Sequence, residues 1–279
     1  SIPVDALNFI CLEQNIELNK VSNYSLNFLN RQFKNKTKHE NKFLSQDEIM
    51  KALKNEQFIL LSDLIGIGKS EVLKKIYAND IKTNVENLWI AFAALKNVSK
   101  VTDTVTLSTF HSILSIENSF QKFTFDKYYK NKKIILYIDE IDQIDEESRN
   151  RLIIFIKNSS FRQVWLTCRP NQEEMLKTQL ENGKVYSTKP FNRDDKFKYV
   201  NLITNNKNFK SDHLKRLKDF DHFAFPHLIY MIKHIYGEDI NDAILTKLKL
   251  LTICEHYFKI FKKNIHEDDL KTFDDASTY

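Results

Sequence analysis

The sequence predicts an α/β fold: a doubly wound parallel sheet followed by a smaller all-α subdomain. Three observations carry this. From Phe58 onward, short apolar runs alternate with longer amphipathic ones, the pattern of strands joined by crossover helices. A glycine-containing run separates the first strand-like segment from the first helix-like one. After Phe191 the strand signals stop, and residues 194–261 carry apolar residues at helical spacing.

The expected strands are Phe58–Ser62, Leu88–Ala93, Ile134–Ile138, Gln163–Thr167 and Val185–Thr188, with crossover helices over Leu107–Phe120 and Glu147–Lys157. Short helical patterns at Ala6–Ile10 and Tyr24–Leu29 precede a basic run, Arg31–His39. That run is expected to be a solvated linker, because no nucleic-acid fold signature accompanies it. Ser45 followed three residues later by Glu48 has the spacing of a helix capping box. The chain is thus expected to comprise an N-terminal helical segment and basic linker (1–52), an α/β domain (53–192) and a helical subdomain (193–279).

Composition narrows the class. With 42% hydrophobic and 28% charged residues in 279, the chain reads as a soluble globular protein with one sizeable core and a smaller subdomain. Its net charge of +5 comes from scattered lysines, so polynucleotide is not expected as a partner. The three cysteines, Cys11, Cys168 and Cys254, are too few and too far apart for a disulfide framework or a zinc site. A reducing, cytoplasmic location is the expectation. No stretch approaches the ~18 apolar residues of a membrane span, and no signal-peptide pattern opens the chain. The missing initiator Met suggests a processed or excised segment.

The chemistry concentrates in two places. Only four glycines occur in the chain, and two lie in Leu64-Ile65-Gly66-Ile67-Gly68-Lys69-Ser70. Between a strand and a helix, such a loop has the context of a P-loop; the bland alternative is a chance Gly-x-Gly-Lys turn. The backbone N–H groups and helix N-terminus of a P-loop surround nucleotide phosphates, its lysine reaches the β- and γ-phosphates, and its hydroxyl ligates Mg²⁺. The nucleotide-binding set is therefore Gly66, Ile67, Gly68, Lys69, Ser70 and Glu71, with Ser70 on the metal. The full pattern has glycine five residues before Gly68, where this chain has Asp63. Aspartate tolerates the left-handed conformation well enough for the turn to survive. Alternatively, its carboxylate repels the triphosphate.

The second place is Ile134-Ile135-Leu136-Tyr137-Ile138-Asp139-Glu140-Ile141-Asp142, an apolar strand ending in acids. Ligands of open α/β sheets sit at the carboxyl ends of strands, so these acids fall where the P-loop points. Asp139 is expected to hold Mg²⁺ through water, and Glu140 to polarise the attacking water as a general base. The other reading of the cluster is the N-cap of the following helix. At the next strand end, Thr167-Cys168-Arg169-Pro170 offers Arg169 to a γ-phosphate; as a bland alternative, it is a surface arginine. Cys168 has no oriented histidine in sequence and is read as a small buried residue.

With these residues in place, the chain resembles the NACHT branch of the STAND-type P-loop NTPases, signalling switches related to the AAA+ proteins. The resemblance runs from about Tyr24 to the C-terminus and rests on Gly66-Ile67-Gly68-Lys69-Ser70, Asp139 with Asp142, Thr167-Cys168-Arg169-Pro170, and Phe225-Pro226-His227-Leu228-Ile229. It implies that Arg169 senses the γ-phosphate, that Pro226 packs near adenine, and that the nucleotides are ATP and ADP. Three departures stand out: Asp63 in place of the first P-loop glycine, Glu140 in place of a small residue, and Gln143 in place of a second acid. Relatives continue into repeat arrays that sense a ligand, and none is present in these 279 residues.

The leading expectation is an ATP-binding switch with slow or absent Mg²⁺-dependent hydrolysis. Its nucleotide state would control association with itself, with a larger relative or with another signalling protein. A catalytically dead interaction or decoy module is the first alternative. An AAA+ ATPase acting on nucleic acid, suggested by Asp139-Glu140-Ile141-Asp142, is the second.

Overall fold

A computed structural model describes residues 31–36, 43–64, 66–84, 87–95, 101, 104–181, 183–192, 194–195 and 198–199. The chain divides into two compact units, Ser1–Lys189 and Pro190–Tyr279; the strands and helices named below all lie in the first, and in the second residues 194–195 and 198–199 are helical. The helical patterns expected at Ala6–Ile10 and Tyr24–Leu29 lie outside the described residues, as does nearly all of the expected helical subdomain, including Pro226.

In chain order the elements are β1 (Phe33–Asn35), β2 (Phe43–Leu44), α1 (Gln46–Ala52), β3 (Phe58–Ser62), α2 (Lys69–Lys82), β4 (Trp89–Ala94), α3 (Leu107–Ile113), α4 (Ser119–Lys130) and β5 (Ile134–Asp139). A short 3₁₀ turn (Ile141–Gln143) follows, then α5 (Glu146–Lys157), β6 (Gln163–Cys168), α6 (Pro170–Gln179) and β7 (Lys184–Thr188). The strands form one seven-stranded sheet in the order β2-β1-β7-β3-β6-β5-β4. All pairings from β7 to β4 are parallel, while β1 pairs antiparallel with both β7 and β2.

The fold class expected from the alternating pattern is the one observed, and its cause is visible in the alternation of side chains across the sheet. Leu60, Leu136, Ile138, Val164 and Leu166 face one side, where they pack with Phe110 of α3, Phe125 of α4, Leu152 and Ile156 of α5 and Leu176 of α6. Ile59, Leu61, Ile135, Tyr137 and Trp165 face the other, against Val72, Leu73, Ile76 and Tyr77 of α2 and Ile49 of α1. Strands buried on both faces read as continuous apolar runs rather than alternating ones, which is why β3, β5 and β6 are so plain in the sequence.

Two expectations about the elements need correction. The basic run Arg31–His39 is not simply a solvated linker, because it contains β1: Phe33 is in the core and Arg31 is buried, with Nη2 donating to the carbonyl of Lys189 at 2.6 Å. One inward-facing aromatic in a three-residue strand leaves no period-2 signal among so many lysines. The crossover expected as a single helix over Leu107–Phe120 is two helices. Ser115 adopts a positive φ of 53° and ends α3, with Ile116 N–H bonding back to His111 at 2.7 Å, and the Asn118 side chain then caps α4. The left-handed break falls on serine rather than glycine, so no breaker announced it.

The capping box is formed as the spacing predicts. Ser45 Oγ accepts from Glu48 N–H at 3.3 Å, and Glu48 Oε2 accepts from Ser45 N–H at 2.7 Å. Ser45→Ala is expected to lower stability by about 1 kcal/mol, measurable by urea denaturation, with an unchanged midpoint as the contrary result.

Candidate nucleotide-binding site

The loop between β3 and α2 is shaped by its glycines. Gly66 and Gly68 have φ of 83° and 95°, values natural only to a residue without Cβ. Gly68 is the N-cap of α2, and beyond the glycine itself and the adjoining chain no atom lies within 4 Å of the position its Cβ would take. The helix N-terminus therefore opens onto free space at a turn of left-handed backbone, the arrangement that lets N–H groups converge on an anion. The Ile67 side chain is buried in the protein interior, which anchors the loop from beneath. Glu71 directs its carboxylate to Lys74 at 2.9 Å, so what it contributes to the set is its main-chain position in the first turn.

Lys69 lies across this loop. Its Nζ donates to the carbonyls of Asp63 at 2.7 Å and Leu64 at 3.1 Å. Burial pushes the ammonium below its ordinary pKa, and the charges of Asp63, Asp142 and Asp139 oppose that shift. P-loop lysine and strand-end acids thus share one electrostatic environment, as expected for residues at the carboxyl edge of β3, β6 and β5.

Asp63 departs from the first of the two expectations. It is not among the described residues with positive φ, so tolerance of the left-handed conformation is not what admits it. Its carboxylate is taken up by Thr188 at the end of β7: Oδ2 accepts from the N–H at 2.6 Å and from Oγ1 at 2.8 Å. Burial raises its pKa, and these hydrogen bonds work against the rise.

The acidic end of β5 is organised by a residue to which sequence reasoning gave no role. Thr167 Oγ1 donates to Asp139 Oδ1 at 2.5 Å and accepts from Glu140 N–H at 2.8 Å. The parallel register pairs Ile138 with Leu166, so the next residues, Asp139 and Thr167, come side by side at the strand ends. A polar residue closing an otherwise apolar strand is the signal that could have pointed to it. Asp139 is buried. Glu140 follows with φ 60° and ψ 45°, a left-handed conformation that costs a non-glycine residue on the order of 1 kcal/mol.

The helix-cap reading of these acids is resolved in favour of a different residue. Asp145 caps α5, with Oδ1 accepting from Ser148 N–H at 2.8 Å, and Asp139 and Asp142 are left at the strand edge. Asp142 pairs with Arg169, Nε to Oδ2 at 2.6 Å, and its carboxylate is nearly buried while Arg169 is 40% exposed. Arg169 is also the N-cap of α6, followed by Pro170 at the first helical position, which fixes its backbone. Cys168 is fully buried, and burial pushes its thiol up to about 12, which leaves it protonated and unsuited to nucleophilic attack.

The residues present fit a magnesium nucleotide. They offer open space at a helix N-terminus, a lysine, the Ser70 hydroxyl, and a carboxylate whose Oδ1 is fixed by Thr167. Among the described residues no group of three His, Cys, Asp or Glu could hold a metal alone; Mg²⁺ bound chiefly by phosphate oxygens and water requires none.

Together these features define an α/β domain of the P-loop NTPase fold class. Residues 46–173 match the family described as AAA domain, a span that includes the loop, the acidic strand end and Arg169. No curated protein sequence matches the chain. Among solved structures, similarity is found to a RuvB variant of Thermotoga maritima (13% identity over 74% of this chain and 66% of that one, TM-score 0.43). Similarity is also found to Cdc6p of Pyrobaculum aerophilum (13%, 68% and 58%, TM-score 0.46) and to domain III of the replication initiation protein DnaA of Thermotoga maritima (14%, 70% and 84%, TM-score 0.42). The chain therefore spans less than two thirds of the length of the first two.

Proposed function

We propose that the chain binds ATP and ADP with Mg²⁺ and hydrolyses ATP slowly. The observation that carries this is Lys69 held across a left-handed glycine loop, where the charges of Asp142 and Asp139 at the end of β5 reach it. In this reading Lys69 and the first turn of α2, through Glu71, hold the phosphates. Ser70 and Asp139 hold Mg²⁺, which when bound offsets phosphate charge. Glu140 takes the proton of the attacking water at its carboxylate.

Arg169 reads the terminal phosphate. A guanidinium has five N–H donors, so the contact to Asp142 through Nε leaves its terminal nitrogens to grip a phosphate. The preference for adenine, with Pro226 beside it, rests on the sequence resemblance.

The finer reading is a NACHT-type switch in which nucleotide state governs association with a second copy or a larger relative. It is supported by Thr167-Cys168-Arg169-Pro170 standing at the site, with Arg169 poised on an acidic partner rather than buried. Calorimetric titration with ATP, ADP and GTP, with and without Mg²⁺, tests the binding, and light scattering of the same samples tests association. Arg169→Ala is expected to lower the ratio of ATP to ADP affinity by about tenfold, the worth of one charge-assisted hydrogen bond. An unchanged ratio would remove Arg169 from the site. Silence with every nucleotide would remove the proposal.

A further inference from the structure

We propose that Asp63 is a positioning residue for the loop. Clasped by Thr188, it holds the backbone that presents Lys69, so that restoring the consensus glycine weakens nucleotide binding rather than improving it. This rests on the nucleotide-binding reading above and concerns the same site.

The hydrogen-bonding groups of Asp63 are committed to three different parts of the site. Its N–H donates to the carbonyl of Cys168 at the end of β6 at 3.3 Å, its carbonyl accepts from Lys69 Nζ at 2.7 Å, and its carboxylate accepts both donors of Thr188 at the end of β7. β6 and β7 are the two neighbours of β3 in the sheet. The residue at which β3 gives way to the loop is thus fastened on both sides, and the lysine is fastened to it.

The backbone at Asp63 does not require glycine, since its φ is not positive. Glycine there would add conformational freedom to a loop that already contains two residues of positive φ, and binding would have to order it. Among the carboxylates that oppose the effect of burial on Lys69, Asp63 acts most strongly, ahead of Asp142 and Asp139. Its carboxylate is supplied by donors 125 residues away in sequence, which answers the concern that it would face the phosphates bare.

The test is isothermal calorimetry of the full chain with Mg-ATP and Mg-ADP, well below the unfolding temperature of every variant. It compares wild type with Asp63→Gly, Asp63→Asn and Thr188→Val. Asp63→Gly is expected to bind about tenfold more weakly. Asp63→Asn, whose amide oxygen accepts from the same two donors, is expected to stay within about threefold, and Thr188→Val to fall between. A role confined to fold stability would lower the unfolding temperature of the variants and leave these dissociation constants unchanged, which would overturn the proposal. Binding by Asp63→Gly equal to or tighter than wild type would also overturn it while leaving the nucleotide site intact, most plainly if wild type were silent and the glycine variant bound. Silence of wild type and all variants would overturn both the site and the role of Asp63.

Discussion

Lys69→Ala is expected to abolish the stabilisation that Mg-ATP confers. A ligand at about 100 times its dissociation constant stabilises the folded state by about 2.7 kcal/mol, roughly 5–10 °C in a domain of this size. Lys69 is the first residue of α2, and its ammonium donates to two neutral carbonyls. A phosphate oxygen is a far better acceptor for it, so the lysine exchanges weak contacts for strong ones when phosphate arrives. A hundredfold loss of affinity in the variant would shrink the stabilisation at the same ligand concentration to about 0.4 kcal/mol. The protein without ligand should lose no more than about 1 kcal/mol, the worth of contacts at the rim of the loop. Thermal unfolding of both proteins across a nucleotide titration measures this, and equal shifts in wild type and Lys69→Ala would show that nucleotide binds elsewhere or not at all.

Glu140→Gln is expected to separate binding from turnover. If the carboxylate is the general base, its loss should slow hydrolysis by about 10²–10⁴-fold with affinity for Mg-ATP unchanged. The substitution is close in shape. Gln has the size of Glu and meets the same backbone cost at φ 60°, and the N–H bond to Thr167 Oγ1 is made by the main chain. Geometry at Asp139 should therefore be kept. Phosphate release by wild type and variant under saturating Mg-ATP gives the comparison. Equal rates would take Glu140 out of the chemistry, and a wild-type rate at background would favour the catalytically dead module, with Lys69→Ala still reporting whether nucleotide is bound.

Much of the site is local in sequence and was legible there. A glycine run between strand and helix dictates its own shape, because only glycine adopts φ of 83° and 95° without strain. Buried parallel strands declare themselves as apolar runs, and their carboxyl ends are where acids and Arg169 had to fall. The capping box at Ser45 is four residues long and needs no tertiary information.

Contacts between strand ends are another matter, since sheet order is not written in any one segment. That β6 inserts between β3 and β5 is what brings Thr167 to Asp139 and sets Cys168 beside the loop. That β7 lies on the far side of β3 is what supplies Thr188 to Asp63. The three-residue β1 is too short, and too basic around its one buried phenylalanine, to announce itself. The sequence by itself determined the class of fold, the glycine loop after β3 and the acids at the end of β5, because each is a local pattern of backbone freedom or hydropathy. Only the tertiary structure decided what Asp63 and Arg169 hold on to, because hydrogen bonds and ion pairs form between strand ends that the chain brings together after more than a hundred residues, or across the loop after β5.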